Sequence, residues 1–565
     1  MSPIRFSLRL IIAAVVVAGA FSPAGAQESA FVPVTDGVLR NPDSADWLRW
    51  RRDHGASGYS PLDQVNRQNV GRLRLAWAWP MEEGQQEQEP LVYRGVMYLP
   101  HPGDVVQALD AKTGDLIWEY RRQLPEGVGG ATRNIAIYQD KIFLATQDTH
   151  LVALDARTGR VVWDVETADY QKRVSYSAGP IAADGKVFAG QTCSVGTPLP
   201  CFLSAHDAQT GRQLWRRESV AGPADPEEDN ATWGGLPYEE RKKSSFWLTG
   251  SYDPDLKWVY WTTASAYPYP EILKGTGSGE LRYTNSILAL NAETGKIQWF
   301  FQMQPRDNFD MDHQDNPILA DVEIGGTRRK VVYTLGKPGI LWALDRETGA
   351  YLWHRQLVTH QNIYREIDPK TGAITMNEDI IPREVGTSQR VCPGMRGGKL
   401  FQSDAYNPKT ETVYSPVSNS CVVFKILPLD VSVSGVNYGQ IEHMEGSGEK
   451  VGRLAAVAAS TGELLWTYDQ RAAIGSVLTT AGELVFAGDF YRYFRAFDAR
   501  SGEVLWETPL SAPVTGYPVS YAVEGKQYVA VGVGGSGGQR HLAQLHPELK
   551  PPAGSSLLLV FTLAD

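Results

Sequence analysis

Apolar and polar residues alternate along most of the chain in short runs that end at polar or glycine-containing turns. A period of two marks half-buried β-strands, and no segment beyond the N-terminal stretch sustains the 3.6-residue period of a helix. One unit recurs: Ala-Leu-Asp-Ala-x-Thr-Gly-x-x-x-Trp, read as a strand, a tight turn and a second strand. With small drift it ends at Trp118, Trp163, Trp215, Trp299, Trp353, Trp466 and Trp506. The Asp or Asn and the Thr are placed to bond back to turn amides, Gly supplies permissive backbone, and each Trp is expected to fill space between neighbouring sheets.

The repeat glycines, at 114, 159, 211, 295, 349, 462 and 502, are separated by 45, 52, 84, 54, 113 and 40 residues. The step of 113 reads as two repeats, with a decayed copy at 405–414 that keeps the turn and loses the Gly and Trp; seven clear copies and this one make eight. The step of 84 reads as one unit with a long loop over 222–244, rich in Pro, Asp and Glu. Repeats of this length, each about four strands, predict an all-β, eight-bladed β-propeller with scarce helix.

The termini and charge refine this picture. Arg5 and Arg9 precede an apolar run over 10–21, and Ala24-Gly25-Ala26 precede Gln27, so a signal peptide over 1–26 is expected to be cleaved after Ala26, leaving 27–565 as a single propeller domain. The run is too short for a membrane span, which needs about 20 residues. No Cys lies near the cut, which argues against a lipid anchor, and the separated arginines argue against a twin-arginine signal. The formal charge is −10, and losing Arg5 and Arg9 takes it to −12, which makes nucleic acid an unsuitable partner and would steer a small cationic protein towards the surface. In an exported chain the four cysteines are expected to pair, and spacing suggests Cys193 with Cys201 and Cys392 with Cys421, other pairings being open.

The repeat, with Tyr59-Ser60-Pro61-Leu62 and Asn66 before it, resembles the PQQ-dependent (quinoprotein) alcohol dehydrogenases, the family that includes methanol dehydrogenase. The likeness runs from about 47 to 538. Its most specific part is Tyr283-Thr284-Asn285-Ser286 continuing to Leu290, followed by Gln304-Pro305-Arg306-Asp307-Asn308-Phe309-Asp310-Met311-Asp312. The resemblance implies pyrroloquinoline quinone (PQQ) and one metal ion as cofactors. Asp310 falls where the family places its general base, which takes the hydroxyl proton while hydride leaves the alcohol carbon for the quinone. A rival reading makes Asp307, Asp310, Asp312 and Asp315 a solvated acidic loop.

For the quinone, the resemblance assigns Glu87, Arg133 and Ser177 as polar contacts, Lys337 as the cation at the reactive carbonyls, and Trp247 as the indole stacked on the planar ring. For the metal it assigns Asp310 and Asp312, with Ser265 standing where the family has Asn; Asp312 resembles the added aspartate of lanthanide-dependent members, so the ion is calcium or a lanthanide. Residues 190–196 hold no acid where the family usually has Glu. Gly127-Val128 replace a vicinal Cys pair, leaving the quinone face to be covered by Gly129-Gly130 or by the Cys193–Cys201 loop, and Leu400-Phe401 replace an Asn-Trp pair.

These departures point to a bulky or secondary alcohol rather than methanol. No Cys-x-x-Cys-His is present, so electrons are expected to leave to a soluble cytochrome c in the periplasm. Two rivals stay open: a non-catalytic propeller scaffold, which would lack a convergent base, cation and indole, and a PQQ-dependent sugar or aldehyde dehydrogenase. Oligomeric state is not encoded in any recognisable feature.

Overall fold

Each repeat folds as the third and fourth strands of a four-stranded antiparallel sheet. In the first, Leu91–Tyr93 and Val96–His101 precede Val105–Asp110 and Leu116–Arg121. The turn forms as its residues dictate: Asp110 Oδ1 accepts from the N–H groups of Lys112 (2.8 Å) and Thr113 (3.0 Å), and Gly114 takes φ 83°. Asp155, Asp207, Asn291, Asp345 and Asp498 hold their turns in the same way. The first three strands are buried almost throughout, while the fourth alternates, with Trp118 turned inward among exposed neighbours.

The computed structural model describes residues 31–198, 200–241, 244–535, 542–550 and 556–564; the expected signal peptide over 1–26 lies outside them. Among these residues are eight sheets of four strands, one of them extended by Tyr59–Ser60, and three short α-helices, Asp36–Arg40, Glu227–Ala231 and Glu271–Lys274. Within residues 33–565, six of the seven repeat tryptophans lie against the turn glycine of the next sheet. A Cβ on Gly159 would meet the Trp118 ring at 2.5 Å, and the same closeness joins Trp163 to Gly211, Trp215 to Gly295, Trp299 to Gly349, Trp353 to Gly462 and Trp466 to Gly502. Contact this tight leaves room for no side chain, which is why the repeat keeps both residues.

The eighth sheet corrects the repeat count's assignment. Residues 405–414 form the first hairpin, Ala405–Asn407 with Thr412–Ser418, of the very sheet that holds Trp466, so the step of 113 is one sheet with large insertions. The remaining sheet joins the two ends of the chain: Val519–Val523, Lys526–Val533 and Leu557–Leu563 pair with Leu73–Pro80. Its tryptophan is Trp77, ahead of the first repeat, and it lies 2.7 Å from the Cβ position of Gly114. Trp506 meets Phe561 of this sheet edge-on at 5.6 Å, so the series of neighbours returns to its start and the propeller closes. A search for the repeat cannot see a sheet whose strands come from opposite ends of the sequence.

The loop expected over 222–244 carries only the short helices Glu227–Ala231 and Tyr238–Glu240 among its described residues. Both cysteine pairs are bridged as the spacing suggested. The insertions around the sixth sheet build a separate three-stranded sheet from Ser388–Val391, Ser420–Ile426 and Val436–His443.

Candidate functional site

In an antiparallel sheet the start of the first strand and the turn between the second and third lie at one end, and the repeat turn lies at the other. Glu87, Arg133, Ser177, Trp247 and Asp310 with Asp312 each fall shortly before the first strand of successive sheets, while Ser265 and Lys337 fall between second and third strands. The topology thus gathers residues spread over 250 positions at the end opposite the repeat turns.

Hydrogen bonds join all of them into one network. Arg133 Nη2 donates to Glu87 Oε2 at 2.6 Å and Arg133 Nη1 to the Ser177 carbonyl at 3.0 Å; the guanidinium also lies 5.5 Å from the centre of the Trp247 ring. Ser177 Oγ shares a 2.7 Å hydrogen bond with Thr192 Oγ1 and donates to the Trp247 carbonyl at 3.1 Å. From the far edge of that indole, Trp247 Nε1 donates to Asp312 Oδ2 at 3.1 Å. Lys337 Nζ donates to the same oxygen at 2.7 Å and to the Asp310 carbonyl at 2.8 Å, and it lies 3.3 Å from Asp310 Oδ1. The Ser265 N–H donates to Asp312 Oδ1 at 2.8 Å.

The acidic loop is not solvated: Asp307, Asp310, Asp312 and Asp315 are 1, 6, 6 and 0 % exposed. Each has a distinct task. Asp307 shapes the loop, its two carboxylate oxygens accepting from the N–H groups of Phe309 and Met311, both at 3.1 Å. Asp310 is thereby held at φ 60°, a left-handed backbone that a non-glycine residue adopts at a cost. Asp315 is bound by Lys399, which also pairs with Asp404, and it serves the packing beneath.

Electrostatics follows from burial. Burial alone would lower the Lys337 ammonium, but the carboxylates of Asp310 and Asp312 outweigh it and hold the group above the ordinary lysine value. Two buried carboxylates flank the Lys337 ammonium, and neutral oxygens from Ser265 and Asn285, 3.2 Å apart, stand beside them. This oxygen-rich, electronegative set fits a hard cation. Over the Trp247 ring, Arg133 Nε is buried with no hydrogen-bond partner among the described residues, leaving a donor for an anionic ligand. The indole itself is part-exposed, with the Arg133 guanidinium over the ring and Nε1 held by Asp312, and offers a flat aromatic surface.

Three participants went unassigned in the sequence. Asn285 lies in the most specific family-like stretch and could have been drawn from it. Tyr438 donates to Asp310 Oδ2 at 3.3 Å from the inserted sheet, 128 residues away, with no local signal. Tyr269 adjoins Tyr438, and burial, followed by the Asp310 charge, raises its phenol well above the usual value. Leu400 and Phe401 are buried in the apolar cluster against which Trp247 packs, together with the Cys193–Cys201 bridge, whereas nothing lies within 4 Å of a Cβ on Gly127 or Gly129.

The family described as "PQQ: Glucose/ethanol/alcohol dehydrogenase, beta-propeller domain" matches residues 47–371 and 436–529. The quinoprotein alcohol dehydrogenase PedH of Pseudomonas putida (strain KT2440) is 31% identical over 575 residues, spanning 94% of this chain and 92% of that protein. The quinohemoprotein alcohol dehydrogenase ADH-IIG of Pseudomonas putida is 31% identical over 531 residues, 88% of this chain and 74% of that protein. Its solved structure matches with a TM-score of 0.86 at 29% identity, covering 94% of this chain and 83% of that one. A europium-containing methanol dehydrogenase also gives 0.86, at 25% identity, over 94% and 100% of the two chains.

Proposed function

The chain belongs to the PQQ-dependent (quinoprotein) alcohol dehydrogenase family, and we propose that it acts in the periplasm, oxidising a bulky or secondary alcohol to the aldehyde or ketone and passing electrons to a soluble cytochrome c. PQQ, when bound, supplies the two-electron acceptor. The observation that carries the assignment of roles is Asp310: a buried carboxylate on strained backbone, between Lys337 and Tyr438.

Asp310 takes the proton of the substrate hydroxyl, for which a base must lie within hydrogen-bond reach. The Tyr438 hydroxyl on Oδ2 orients that carboxylate and offers a donor to an incoming oxygen. Lys337, kept charged by the acid pair, stabilises negative charge that develops beside it. Trp247 would offer its aromatic surface to the planar cofactor, and Glu87, Arg133 and Ser177 would hold its polar groups. Asp310, Asp312 and Ser265, joined by Asn285, would hold the metal ion, calcium or a lanthanide; the second carboxylate, Asp312, suits the higher charge.

Support for export comes from the leader pattern and from two disulfides, which persist in oxidising compartments. Support for an external acceptor comes from the net negative charge, which would steer a small cationic protein towards the surface. Support for a bulky substrate comes from the apolar Leu400 and Phe401. The test is reconstitution of purified protein with PQQ and either calcium or lanthanum, followed by a panel of primary, secondary and aromatic alcohols read with an artificial electron acceptor. Turnover that needs both PQQ and metal and favours the larger alcohols is expected; activity on methanol alone, or none on any alcohol, would reject the reading.

A further inference from the structure

A cleft of about 220 Å³ opens beside Tyr438, at the inserted sheet. Tyr438 connects it to the site, since its side chain is part of the cleft wall and its hydroxyl donates to Asp310 Oδ2 at 3.3 Å. Met395, Val422 and Ile441 make the wall apolar, and Gln544 reaches it from the C-terminal segment. Most of this lining belongs to the three-stranded sheet inserted outside the eight repeating sheets. The fold does not need that sheet to close, so its face is available for recognition.

One residue of the lining is out of keeping with an apolar cleft. Arg396 makes no hydrogen bond or ion pair among the described residues, and its Nε is buried without a partner. Several shielded arginines are paired, Arg133 with Glu87, Arg346 with Asp321, Arg453 with Asp469 and Arg495 with Asp489, while Arg52, like Arg396, has no side-chain partner among the described residues. A buried donor left without a partner is costly, and more so when it carries charge. Arg396 lines the same cleft as Tyr438, the residue that bonds Asp310. The acid pair is already engaged, Asp312 by Lys337, Trp247 and Ser265, and Asp310 by Lys337 and Tyr438.

We propose that Arg396 receives a carboxylate carried by the alcohol substrate itself, so that the substrate class is an apolar hydroxy acid, with its hydroxyl at Asp310 and its carboxylate on Arg396. This rests on the alcohol dehydrogenase reading of the same site. A planar guanidinium pairs a carboxylate through two parallel N–H bonds, and a single cation with one amide suits a monoanion better than a phosphate. The apolar wall takes the body between the two polar ends. The carboxylate takes no part in the chemistry, and the alcohol carbon alone is oxidised.

The test compares 4-(hydroxymethyl)benzoate with its neutral counterpart 4-methylbenzyl alcohol on the holoenzyme. Wild type is expected to favour the acid in kcat/KM, Arg396→Gln to lower the acid-to-neutral ratio by about 10- to 100-fold, the range of a charged hydrogen bond, and Arg396→Lys to retain part of it. Direct binding of 4-methylbenzoate, followed by tryptophan fluorescence, should weaken by the same factor in Arg396→Gln. No preference for the acid in wild type, or a ratio unchanged by the substitution, would overturn the proposal. So would a large loss of PQQ affinity in Arg396→Gln, since it would place the guanidinium on the cofactor. If no alcohol is turned over, the dehydrogenase reading fails, while the 4-methylbenzoate titration still decides the role of Arg396.

Discussion

Lys337 Nζ lies 2.7 Å from Asp312 Oδ2 and is the ammonium shared by the two buried acids of the site. Removing one partner of a buried ion pair leaves uncompensated charge and costs about 3–5 kcal/mol. Lys337→Met should therefore lower stability by that order in metal-free protein, and added calcium or lanthanum should restore much of the loss by taking the place of the missing charge. Denaturant melts with and without metal check this; equal loss in both would separate the acid pair from metal binding.

Asp312 is expected to discriminate between ions. Its oxygens are held by Ser265, Trp247 and Lys337, so the carboxylate is fixed beside Asp310 before any metal arrives. Asp312→Ala should reduce lanthanum-supported turnover at least tenfold more than calcium-supported turnover, because a trivalent ion gains more from the second carboxylate. Parallel reconstitutions measure the ratio.

The contact between Trp215 and Gly295 is a test of how the sheets are joined. A Cβ at Gly295 would stand 2.5 Å from the ring, and the residue has φ 68°. Gly295→Ala should cost about 2–4 kcal/mol from strain and overpacking together. Gly185→Ala provides the comparison, since Gly185 has φ 72° but nothing within 4 Å, and it should cost only about 1 kcal/mol. Similar losses at both positions would mean that the tryptophan contact contributes little.

Acid lability should trace partly to His54. Burial first, then the nearby Arg49 and Arg40, lowers its imidazole from 6.5 to about 2, so the folded protein keeps it neutral while the unfolded chain protonates below 6.5. The unfolded state then binds more protons, and this stabilisation, complete above pH 6.5, is lost as pH falls, by about 2 kcal/mol at pH 5. His54→Phe, which keeps a ring against Tyr252, should shrink the difference between urea melts at pH 7 and pH 5 by that amount. An unchanged difference would assign the acid sensitivity to other groups.

Much of this molecule was legible in the sequence because its information is local. The repeat turn is fixed by residues three to four positions apart, and the residues matched to the quinone and metal all precede or interrupt strands in the same way. What was hidden depends on distance. The closing sheet joins Leu73–Pro80 to Leu557–Leu563, and no local repeat announces such a pairing. Tyr438 reaches the site from an inserted sheet whose placement is set by tertiary packing and not by a motif, and Arg396 lies in the loop between that sheet's strands. The hairpin over 405–414 kept the turn chemistry of a repeat and was counted as one, although its strands complete a sheet already counted.

The central claim is that Asp310 is the base of a PQQ-dependent alcohol oxidation. The most direct measurement is dye-linked turnover of Asp310→Asn after reconstitution with PQQ and metal, with cofactor loading read from the absorbance of the bound quinone. A fall in kcat of at least 100-fold with PQQ still bound is the expected outcome, in line with the loss of a general base. Wild-type turnover in the loaded variant would contradict it.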